Sequence, residues 1–497
     1  MSKKYILSID QGTTGSRAFI FDSRGQIVES AYREFRQYFP KPGWVEHDAE
    51  EIWGSCVFVI REVLKKAHVR PHDILTIGIT NQRETTVIWE RKTSKPVYRA
   101  IVWQCRRTAA ICDDLRKRRL QEVFRKKTGL ILDAYFSGTK IKWLLDNVTG
   151  LRHRAKEGQV CFGTIDSWLI WKLTGGASHI TDATNASRTL LFDIRKLHWD
   201  PELLKILNIP RSILPQVQNS GTLFGKTAQG TAGLISGIPI TGVMGDQQAA
   251  LYGQCCFDPG TVKNTYGTGC FMVLHTGREL LYSKEGLLTT IVCDDQGRPR
   301  YALEGSVFIA GAVIQWLRDK LGIIKTSAET EKAIRGLKDT NGVYFVPAFT
   351  GLGAPYWQAQ ARGLITGLTR GVTAQQIIRA ALEAIAYQTK DVFDIMQKTL
   401  QKSIRELKVD GGACKNNFLM QFQADILNCK IIRPQVVEST ARGAAYLAGV
   451  ASGLWKGQAD LKKLYKIERT FRPSMAASDR KRLYGGWQSA IKKTLTD

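Results

Sequence analysis

Apolar residues at the start of the chain come in three short blocks, separated by turn-forming residues. The first two blocks, 5–10 and 17–22, flank a stretch of glycine and threonine at 11–16, and the third, 26–32, follows a turn at 22–25. Apolar runs of this length between such turns are typical of hairpin strands. The pattern therefore predicts an antiparallel meander of three strands.

Helical and strand periodicity alternate after this meander. Asp48 can cap a helix, Glu51 follows three residues later as in a capping box, and the next apolar residues fall on one helical face. These apolar residues are Ile52, Cys56, Ile60, Val63 and Leu64. Further strands are predicted at 74–80, 85–89 and 238–245. Strands that alternate with helices indicate an α/β fold.

The opening pattern returns near residue 260. A strand, a turn at Gly267-Thr268-Gly269 and a second strand fill residues 260–274 and repeat the order of the first hairpin. Such a repeat predicts an internal duplication. We expect one domain at 1–253 and a second at 254–497.

Composition indicates a soluble globular protein. The chain has 497 residues, of which 43% are hydrophobic and 23% charged, and its ten cysteines are scattered without zinc-site spacing. The N-terminus lacks the features of a signal peptide, and no apolar run reaches the roughly 18 residues of a membrane span. Dispersed cysteines without a secretory signal are typical of reduced, cytoplasmic proteins.

The formal net charge of +26 raises the question of a nucleic-acid binder. The basic residues are spread over many segments, however, and no zinc finger, RNA-recognition signature or basic tail accompanies them. We therefore expect a basic, solvated surface and no nucleic-acid partner.

The stretch from Asp10 to Arg17 reads Asp-Gln-Gly-Thr-Thr-Gly-Ser-Arg. Its glycines let backbone amides approach a phosphate, its hydroxyls are neutral donors, and Arg17 offers a cationic fork. Asp10 could hold a hydrated magnesium ion. Alone, the stretch is more readily explained as an ordinary turn. The second turn at Gly267-Thr268-Gly269 favours a phosphate cradle with two sides.

A third element joins these two hairpins. An apolar strand from Leu407 ends in Gly411 and Gly412, and a helix is predicted at 416–427. A glycine pair between a strand and a helix admits a phosphate or a flat ring close to the backbone. With the two hairpins, it completes the set of the actin, hexokinase and heat-shock ATPase superfamily.

Longer motifs resemble one family of that superfamily. Residues 135–147 match the first signature of the FGGY carbohydrate kinases, and residues 363–383 fit the second. Within that family the chain is most similar to the branch that phosphorylates glycerol. The stretches that carry this likeness are 42–48, 78–86, 101–108, 245–250 and 264–269, within a resemblance that runs from about residue 4 to about residue 490.

The resemblance implies a fold and an activity. The fold would be α/β, with two ribonuclease H-like domains of the actin and hexokinase type flanking a central cleft. The activity would be ATP- and Mg²⁺-dependent phosphorylation of glycerol to sn-glycerol 3-phosphate, in glycerol uptake and catabolism. The N-terminal domain would bind the polyol and carry one phosphate hairpin, and the C-terminal domain would bind most of the nucleotide. Members of the family form homodimers or homotetramers.

It also implies roles for individual residues. Asp246 would be the catalytic base and, with Asp10 acting through water, would hold Mg²⁺. The substrate-binding residues would be Arg83, Glu84, Trp103, Tyr135, Asp246, Gln247 and Phe271. The nucleotide-binding residues would be Thr13, Thr14, Gly15, Arg17, Thr268, Gly311, Gln315, Gly412 and Asn416. A small uncharged triol needs fixed donors and acceptors and an apolar wall, which these residue types supply. On pattern alone, the aromatic residues would be core and Arg83-Glu84 a surface ion pair.

Two positions depart from the family. Several relatives bind an inhibitory sugar bisphosphate on a glycine loop that holds lysine and arginine, but the corresponding residues 230–237 lack both cations. We expect that control to be weak or absent. Gly15 stands where many relatives have serine, which removes one hydroxyl donor.

Three alternatives stay open. The first is a kinase of a larger polyol or sugar, such as xylulose or gluconate. The second is a non-catalytic, actin-like nucleotide-binding module, and the third is a nucleic-acid binder.

Overall fold

The three apolar blocks at the start of the chain form the first three strands of the structure. The structure is a computed structural model, which describes residues 4–358 and 360–495. Its elements up to Phe257 are the strands β1 (Tyr5–Gln11), β2 (Gly15–Phe21), β3 (Ile27–Glu34), β4 (Glu46–His47), β5 (Ile74–Asn81), β6 (Val87–Glu90), β7 (Ala100–Ile101), β8 (Val160–Gly163), β9 (Ile180–Asp182), β10 (Phe192–Asp193), β11 (His198–Trp199), β12 (Gln216–Gln218), β13 (Gly225–Lys226) and β14 (Pro239–Gly245). The helices in this part are α1 (Ala49–Ala67), α2 (Ala109–Lys117), α3 (Gln121–Thr128), α4 (Ser137–Asn147), α5 (Leu151–Lys156), α6 (Ile165–Leu173), α7 (Ala183–Ala186), α8 (Pro201–Leu207) and α9 (Asp246–Gly253).

The later part of the chain repeats the mixture of strands and helices. Its strands are β15 (Val262–Tyr266), β16 (Cys270–Gly277), β17 (Leu288–Cys293), β18 (Pro299–Val307), β19 (Tyr344–Val346), β20 (Leu364–Thr366), β21 (Glu406–Asp410), β22 (Lys430–Pro434) and β23 (Ile467–Phe471). Its helices are α10 (Gly311–Asp319), α11 (Glu329–Ala333), α12 (Ala374–Leu400), α13 (Asn417–Leu427), α14 (Ser439–Ala451), α15 (Gln458–Leu464) and α16 (Ala477–Leu495).

The chain divides into two units. The first reaches to Phe257 and also contains Thr289–Tyr301 and Ser439–Leu464. The second contains Asp258–Leu288, Ala302–Glu438 and the chain from Tyr465 onward. The first unit thus takes in two segments from beyond residue 253, the boundary that the sequence analysis predicts.

The first unit is built on a sheet in the order β13-β14-β5-β1-β2-β3. Strands β1, β5 and β14 are parallel, whereas β1, β2 and β3 form the predicted antiparallel meander. In register, Gln11 lies beside Asn81, and Asn81 lies beside Gly245. The carboxyl ends of three parallel strands therefore meet at one edge, which carries Asp10 and Asp246.

Helix α1 confirms the predicted cap and its buried face. The Asp48 carboxylate accepts from the backbone N–H groups of Glu50 and Glu51, and all five predicted apolar residues are buried. The Glu51 carboxylate turns instead to the Tyr38 hydroxyl, at 2.6 Å, and to the Arg36 amide, at 3.3 Å. The capping box predicted for Glu51 thus differs from the contacts observed, because this carboxylate ties the preceding loop to the helix.

Helix α14 packs against α9 and the first sheet at very short range. A Cβ added at Gly443 would lie 1.8 Å from the carbonyl oxygen of Ala249, and one at Gly253 would lie 2.1 Å from that of Ser439. Glycine is required at these positions for lack of space. The contact also fixes Thr440, whose hydroxyl donates to Asp10 Oδ2 at 2.9 Å.

The second unit contains most of a sheet in the order β17-β18-β16-β15-β21-β22-β23. Strands β15, β21 and β22 are parallel, and β15 and β16 are antiparallel. The series β16-β15-β21-β22 repeats the order of β2-β1-β5-β14 in the first unit, which is what an internal duplication predicts. The helix predicted at 416–427 is α13, which begins at Asn417; Asn416 is its cap and accepts from the Leu419 backbone amide at 2.8 Å.

Among the described residues, none of the helices combines the length and the apolar character that crossing a bilayer requires.

Candidate active site

A tight turn at the end of β5 places Arg83 and Glu84. Two backbone hydrogen bonds define the turn: the Gln82 N–H donates to the Gln11 backbone carbonyl at 2.7 Å, and the Thr85 N–H donates to the Arg83 backbone carbonyl at 2.7 Å. Glu84 has a φ of 60°, a region that side-chain-bearing residues seldom adopt. This turn interrupts the chain before β6, which begins at Val87 and not at residue 85 as predicted.

Arg83 is the buried centre of the site. Its Nε lies 3.1 Å from Asp246 Oδ1 and 3.8 Å from Glu84 Oε1, and its NH1 donates to Gln248 Oε1 at 3.2 Å. The Arg83 side chain is 2% exposed and that of Asp246 is 30% exposed. Gly245 makes room for this arrangement, since a Cβ there would lie 2.6 Å from Arg83 Cδ. The guanidinium thus orients a carboxylate that still reaches solvent.

Glu84 belongs to a second buried ion pair. Its Oε1 accepts from Arg188 Nε at 2.6 Å, and neither side chain is more than 2% exposed. The Glu84 carbonyl accepts from the Ser137 hydroxyl at 3.0 Å and from the Lys140 ammonium at 3.5 Å. Burial lowers the pKa of Lys140 from 10.5 to about 8. The unusual backbone of Glu84 is therefore held from several sides.

Two aromatic side chains form a wall beside these charges. The Trp103 and Tyr135 rings lie 5.6 Å apart in an edge-on contact. The Trp103 indole N–H donates to Thr13 Oγ1 at 2.9 Å, and Arg83 NH2 lies 3.5 Å from the Tyr135 hydroxyl. Both residues therefore combine an apolar surface with a fixed polar group, as a polyol site requires.

The two remaining predicted substrate residues have different surroundings. Gln247 follows Asp246 in α9 and is 5% exposed. Its backbone amide donates to Asp246 Oδ1 at 2.7 Å. Phe271 lies on β16 of the second unit, opposite Thr265 in register. Its role at the polyol site stays a prediction.

The first predicted phosphate hairpin is the turn between β1 and β2. The Gly12 amide donates to the Gly15 carbonyl at 2.9 Å, Thr13 is half-buried and Thr14 is exposed. The guanidinium of Arg17, also exposed, stacks over the Tyr32 ring at 5.4 Å. The Tyr32 ring also explains Gly15, because an added Cβ would lie 2.5 Å from ring atom Cε2.

Asp10 and Asp246 supply the oxygen donors predicted for Mg²⁺. Asp10 is 9% exposed, and both carboxylates lie at the same edge of the sheet. Within the described residues, no group of three or more His, Cys, Asp or Glu side chains is placed to hold a metal. Mg²⁺ in nucleotide enzymes commonly uses one or two carboxylates together with water and substrate phosphates. The donor set therefore fits a nucleotide-associated Mg²⁺.

A cavity of about 480 Å³ lies within the second unit. Five predicted nucleotide-binding residues line it, namely Thr268, Gly311, Gln315, Gly412 and Asn416. Its apolar walls come from Ile314, Leu382, Ile385 and Leu419. The volume and lining suit a small organic ligand.

Backbone contacts hold the rim of this cavity. The Gly311 amide donates to the Gly267 carbonyl at 3.0 Å, which joins α10 to the second glycine-threonine turn. Gly411 has a φ of 85°, and a Cβ there would lie 2.5 Å from the Tyr266 carbonyl oxygen. Gly411 thus lets this turn approach the strand β15 closely.

The chain matches the models of two domains of one enzyme family. Residues 5–253 match the N-terminal domain of the FGGY family of carbohydrate kinases, and residues 262–452 match its C-terminal domain. The chain belongs to this family.

Full-length relatives include two glycerol kinases. Glycerol kinase 2 of Thermotoga maritima is 57% identical over 492 residues, which is 99% of each chain. The glycerol kinase of Treponema denticola is 59% identical over 493 residues, again 99% of each chain.

Solved structures agree with the family. The Plasmodium falciparum glycerol kinase with ADP has a TM-score of 0.92 at 39% identity, over 100% of this chain and 99% of its own. A ligand-bound xylulose kinase from Lactobacillus acidophilus has a TM-score of 0.88 at 23% identity, over 99% of this chain and 97% of its own, and shows the fold alone. The predicted fold class is confirmed as the two-domain FGGY fold, of the actin and hexokinase type.

Several residues that build this FGGY site were missed by the sequence analysis. Gln248, Arg188 and Thr440 each bond a predicted site residue, yet none was assigned a role. Gln248 could have been found, because it stands in the Gly-Asp-Gln-Gln motif with Asp246. Arg188 and Thr440 lie 104 and 430 residues from their partners, so no local pattern marks them.

Proposed function

We propose that this FGGY kinase transfers the γ-phosphoryl group of ATP to glycerol and so forms sn-glycerol 3-phosphate. The observation that carries the proposal is the contact at 3.1 Å between Arg83 Nε and Asp246 Oδ1, beside Glu84 and the Trp103–Tyr135 wall. Full-length relatives above 50% identity that are glycerol kinases support the same substrate.

The charged groups match a small triol. Arg83 donates to glycerol hydroxyl oxygens, Glu84 accepts from a hydroxyl, and the Trp103 and Tyr135 rings contact the carbon chain. Because the Arg83 and Glu84 side chains are each 2% exposed, an analogue without the matching hydroxyl would lose hydrogen bonds that water could not readily replace. Gln247 and Phe271 complete the polyol site in this proposal.

Asp246 acts as the general base. Its carboxylate takes the proton of the reacting hydroxyl as that oxygen forms a bond to the γ-phosphorus. The bond from the γ-phosphorus to the β-phosphate oxygen then breaks, and ADP leaves. Phosphoryl transfer depends mainly on position and charge stabilisation. The fixed contact of Asp246 with Arg83 is therefore more important than a strongly basic carboxylate.

Each unit carries its own set of predicted ligand-binding residues. In the first unit, Thr13, Thr14, Gly15 and Arg17 bind phosphate, and Asp10 with Asp246 would hold Mg²⁺, in part through water. In the second unit, the residues Thr268, Gly311, Gln315, Gly412 and Asn416 bind the rest of ATP. Bound Mg²⁺ would neutralise charge on the phosphate oxygens. The chain would act in the cytoplasm, in glycerol uptake and catabolism, as a homodimer or homotetramer.

Product identification tests the proposal. The purified chain is mixed with Mg-ATP and glycerol, ADP release is followed in a coupled assay, and the product is identified by mass spectrometry. We expect sn-glycerol 3-phosphate, and little ATP consumption without an acceptor. Xylulose and gluconate serve as comparison substrates. Faster turnover of either sugar than of glycerol would favour the alternative, a kinase of a larger substrate in the same family.

A further inference from the structure

The two aromatic residues of the polyol site stand on separate segments. Trp103 lies in the loop between β7 and α2, and Tyr135 precedes α4, 32 residues later. The Trp103 loop is held to an earlier motif, since the Val102 amide donates to the Val45 carbonyl at 3.1 Å and the Arg106 amide to the Gly43 carbonyl at 2.8 Å. These backbone contacts fix the Trp103 loop but do not reach Tyr135.

One ion pair joins the two segments. Arg106 NH1 donates to Asp133 Oδ1 at 2.6 Å, and NH2 donates to Oδ2 at 3.1 Å. The same Oδ1 accepts from the Tyr135 backbone amide at 2.8 Å. A continuous path thus leads from the Trp103 loop through a forked, two-bond pair to the backbone of Tyr135.

The geometry of the pair suits a fixed spacing. A guanidinium and a carboxylate that share two parallel bonds hold a defined plane and distance, which a lysine ammonium cannot reproduce. Asp133 is 13% exposed, and its carboxylate also accepts from the Tyr135 backbone amide. Its position is therefore fixed independently of Arg106. The edge-on contact of Trp103 and Tyr135, at 5.6 Å, lies where the two segments face each other.

The geometry points to Arg106 and Asp133 as positioning residues that set the spacing of Trp103 and Tyr135, and thereby the selectivity of the site for a three-carbon polyol. Neither residue has a role in the chemistry proposed above. The inference rests on the proposed function for its substrate, although the spacing itself can be measured without turnover. The Thr108 and Thr139 hydroxyls, 2.9 Å apart, also join the two segments, but farther from the rings. Without the forked pair, the spacing of the two rings is less strictly fixed, and the wall admits a longer carbon chain.

The kinetic test compares Arg106→Ala and Arg106→Lys with the parent. For Arg106→Ala we expect KM for glycerol to rise roughly tenfold, as a displaced binding group produces, and by more than KM for ATP. The ratio of kcat/KM for glycerol over erythritol, a four-carbon polyol, should fall. Arg106→Lys should lie between the two, because it restores the charge without the fork.

The control variant is Arg118→Ala. Arg118, directly after α2, pairs with Asp114 of that helix at 3.4 Å, and the two side chains are 52% and 63% exposed. It should leave both KM values and the polyol ratio unchanged. The inference is overturned if Arg106→Ala behaves like Arg118→Ala, or if it raises both KM values equally without changing the polyol ratio.

Near-ultraviolet circular dichroism gives a readout that does not depend on the substrate. The band that Trp103 contributes is defined by subtracting the spectrum of Trp103→Phe from that of the parent. Arg106→Ala should lose this band at a temperature where it is still folded. A parent that fails to phosphorylate glycerol would refute the proposed function. Retention of the band in Arg106→Ala would refute this inference.

Discussion

Arg188→Met removes one cation from the buried ion pair behind the candidate active site. In the parent, Arg188 Nε lies 2.6 Å from Glu84 Oε1, with side chains 0% and 2% exposed. Methionine keeps an apolar stem about as long as the arginine side chain up to Nε but carries no charge. The variant therefore leaves the Glu84 carboxylate buried with a weaker set of partners.

The expected loss of stability follows from burial. Removing one partner of a buried pair costs about 3–5 kcal/mol, because the remaining charge stays desolvated. Arg83 Nε, at 3.8 Å from the same Glu84 oxygen, still compensates in part. We therefore expect about 3 kcal/mol, near the lower end of that range. Displacement of Glu84 should also raise KM for glycerol.

The matched control is a surface pair. Lys142 Nζ lies 2.9 Å from Asp146 Oδ2, but these side chains are 30% and 38% exposed. Lys142→Met should cost less than about 1 kcal/mol. Adding Glu84→Gln to Arg188→Met should recover part of the loss, since the second substitution removes the unpaired charge.

Urea unfolding, followed by circular dichroism at pH 7, measures these differences when the slopes of the transitions agree. Equal losses for Arg188→Met and Lys142→Met would refute the reasoning. So would a double variant that is less stable than Arg188→Met alone.

Three further predictions concern pH, packing and substrate coupling. Burial lowers the pKa of Lys140 from 10.5 to about 8. Between these two pH values the unfolded chain therefore binds a proton at Lys140 that the folded chain has lost. The free energy of unfolding should rise with pH across this range by up to about 3 kcal/mol. The difference in unfolding free energy between the parent and Lys140→Met, measured at pH 8 and pH 10, should show this rise; a flat difference would contradict it. Gly443→Ala should lower stability by at least about 2 kcal/mol, since its Cβ would lie 1.8 Å from a carbonyl oxygen of α9. Gly485→Ala in α16, where an added Cβ would have no packing neighbour within 4 Å, should slightly stabilise the protein. Thermal unfolding that ranks the two variants the other way would count against the packing argument. Trp103→Phe removes the N–H group that donates to Thr13 and so links the polyol wall to the phosphate hairpin. Steady-state kinetics should therefore show KM for ATP rising together with KM for glycerol. An unchanged KM for ATP would exclude this link between the two substrates.

Elements with local signals were predictable from the sequence. The meander β1–β3 and the buried face of α1 follow from the spacing of apolar residues, and the structure confirms them. The helix predicted at 416–427 is found as α13 at Asn417–Leu427, with Asn416 as its cap. The edge that carries Asp10 and Asp246 is also consistent with the sequence, because Asp10 lies near the end of β1, Asp246 directly follows β14, and parallel strands place their ends together.

Contacts between distant segments could not be predicted in this way. The approach of α14 to α9 depends on Gly443 and Gly253, and neither glycine shows a local pattern that indicates a helix–helix contact. Arg188 is fully buried, although arginine is ordinarily a surface residue, and only the fold brings it to Glu84. The strand predicted from residue 85 begins only at Val87, because the chain turns at Glu84. The positive φ of Glu84 could not be predicted, since no glycine marks the position and tertiary contacts hold it.

The most direct test of the account is the turnover of Asp246→Asn with glycerol and Mg-ATP. Asparagine keeps an oxygen for Arg83 Nε, which lies 3.1 Å from Asp246 Oδ1 in the parent, but cannot take the proton of the reacting hydroxyl. We expect kcat to fall by roughly a factor of a thousand, with glycerol binding changed by less than about tenfold. A variant that retains more than about a tenth of the parent's kcat would contradict the role of Asp246 as the base.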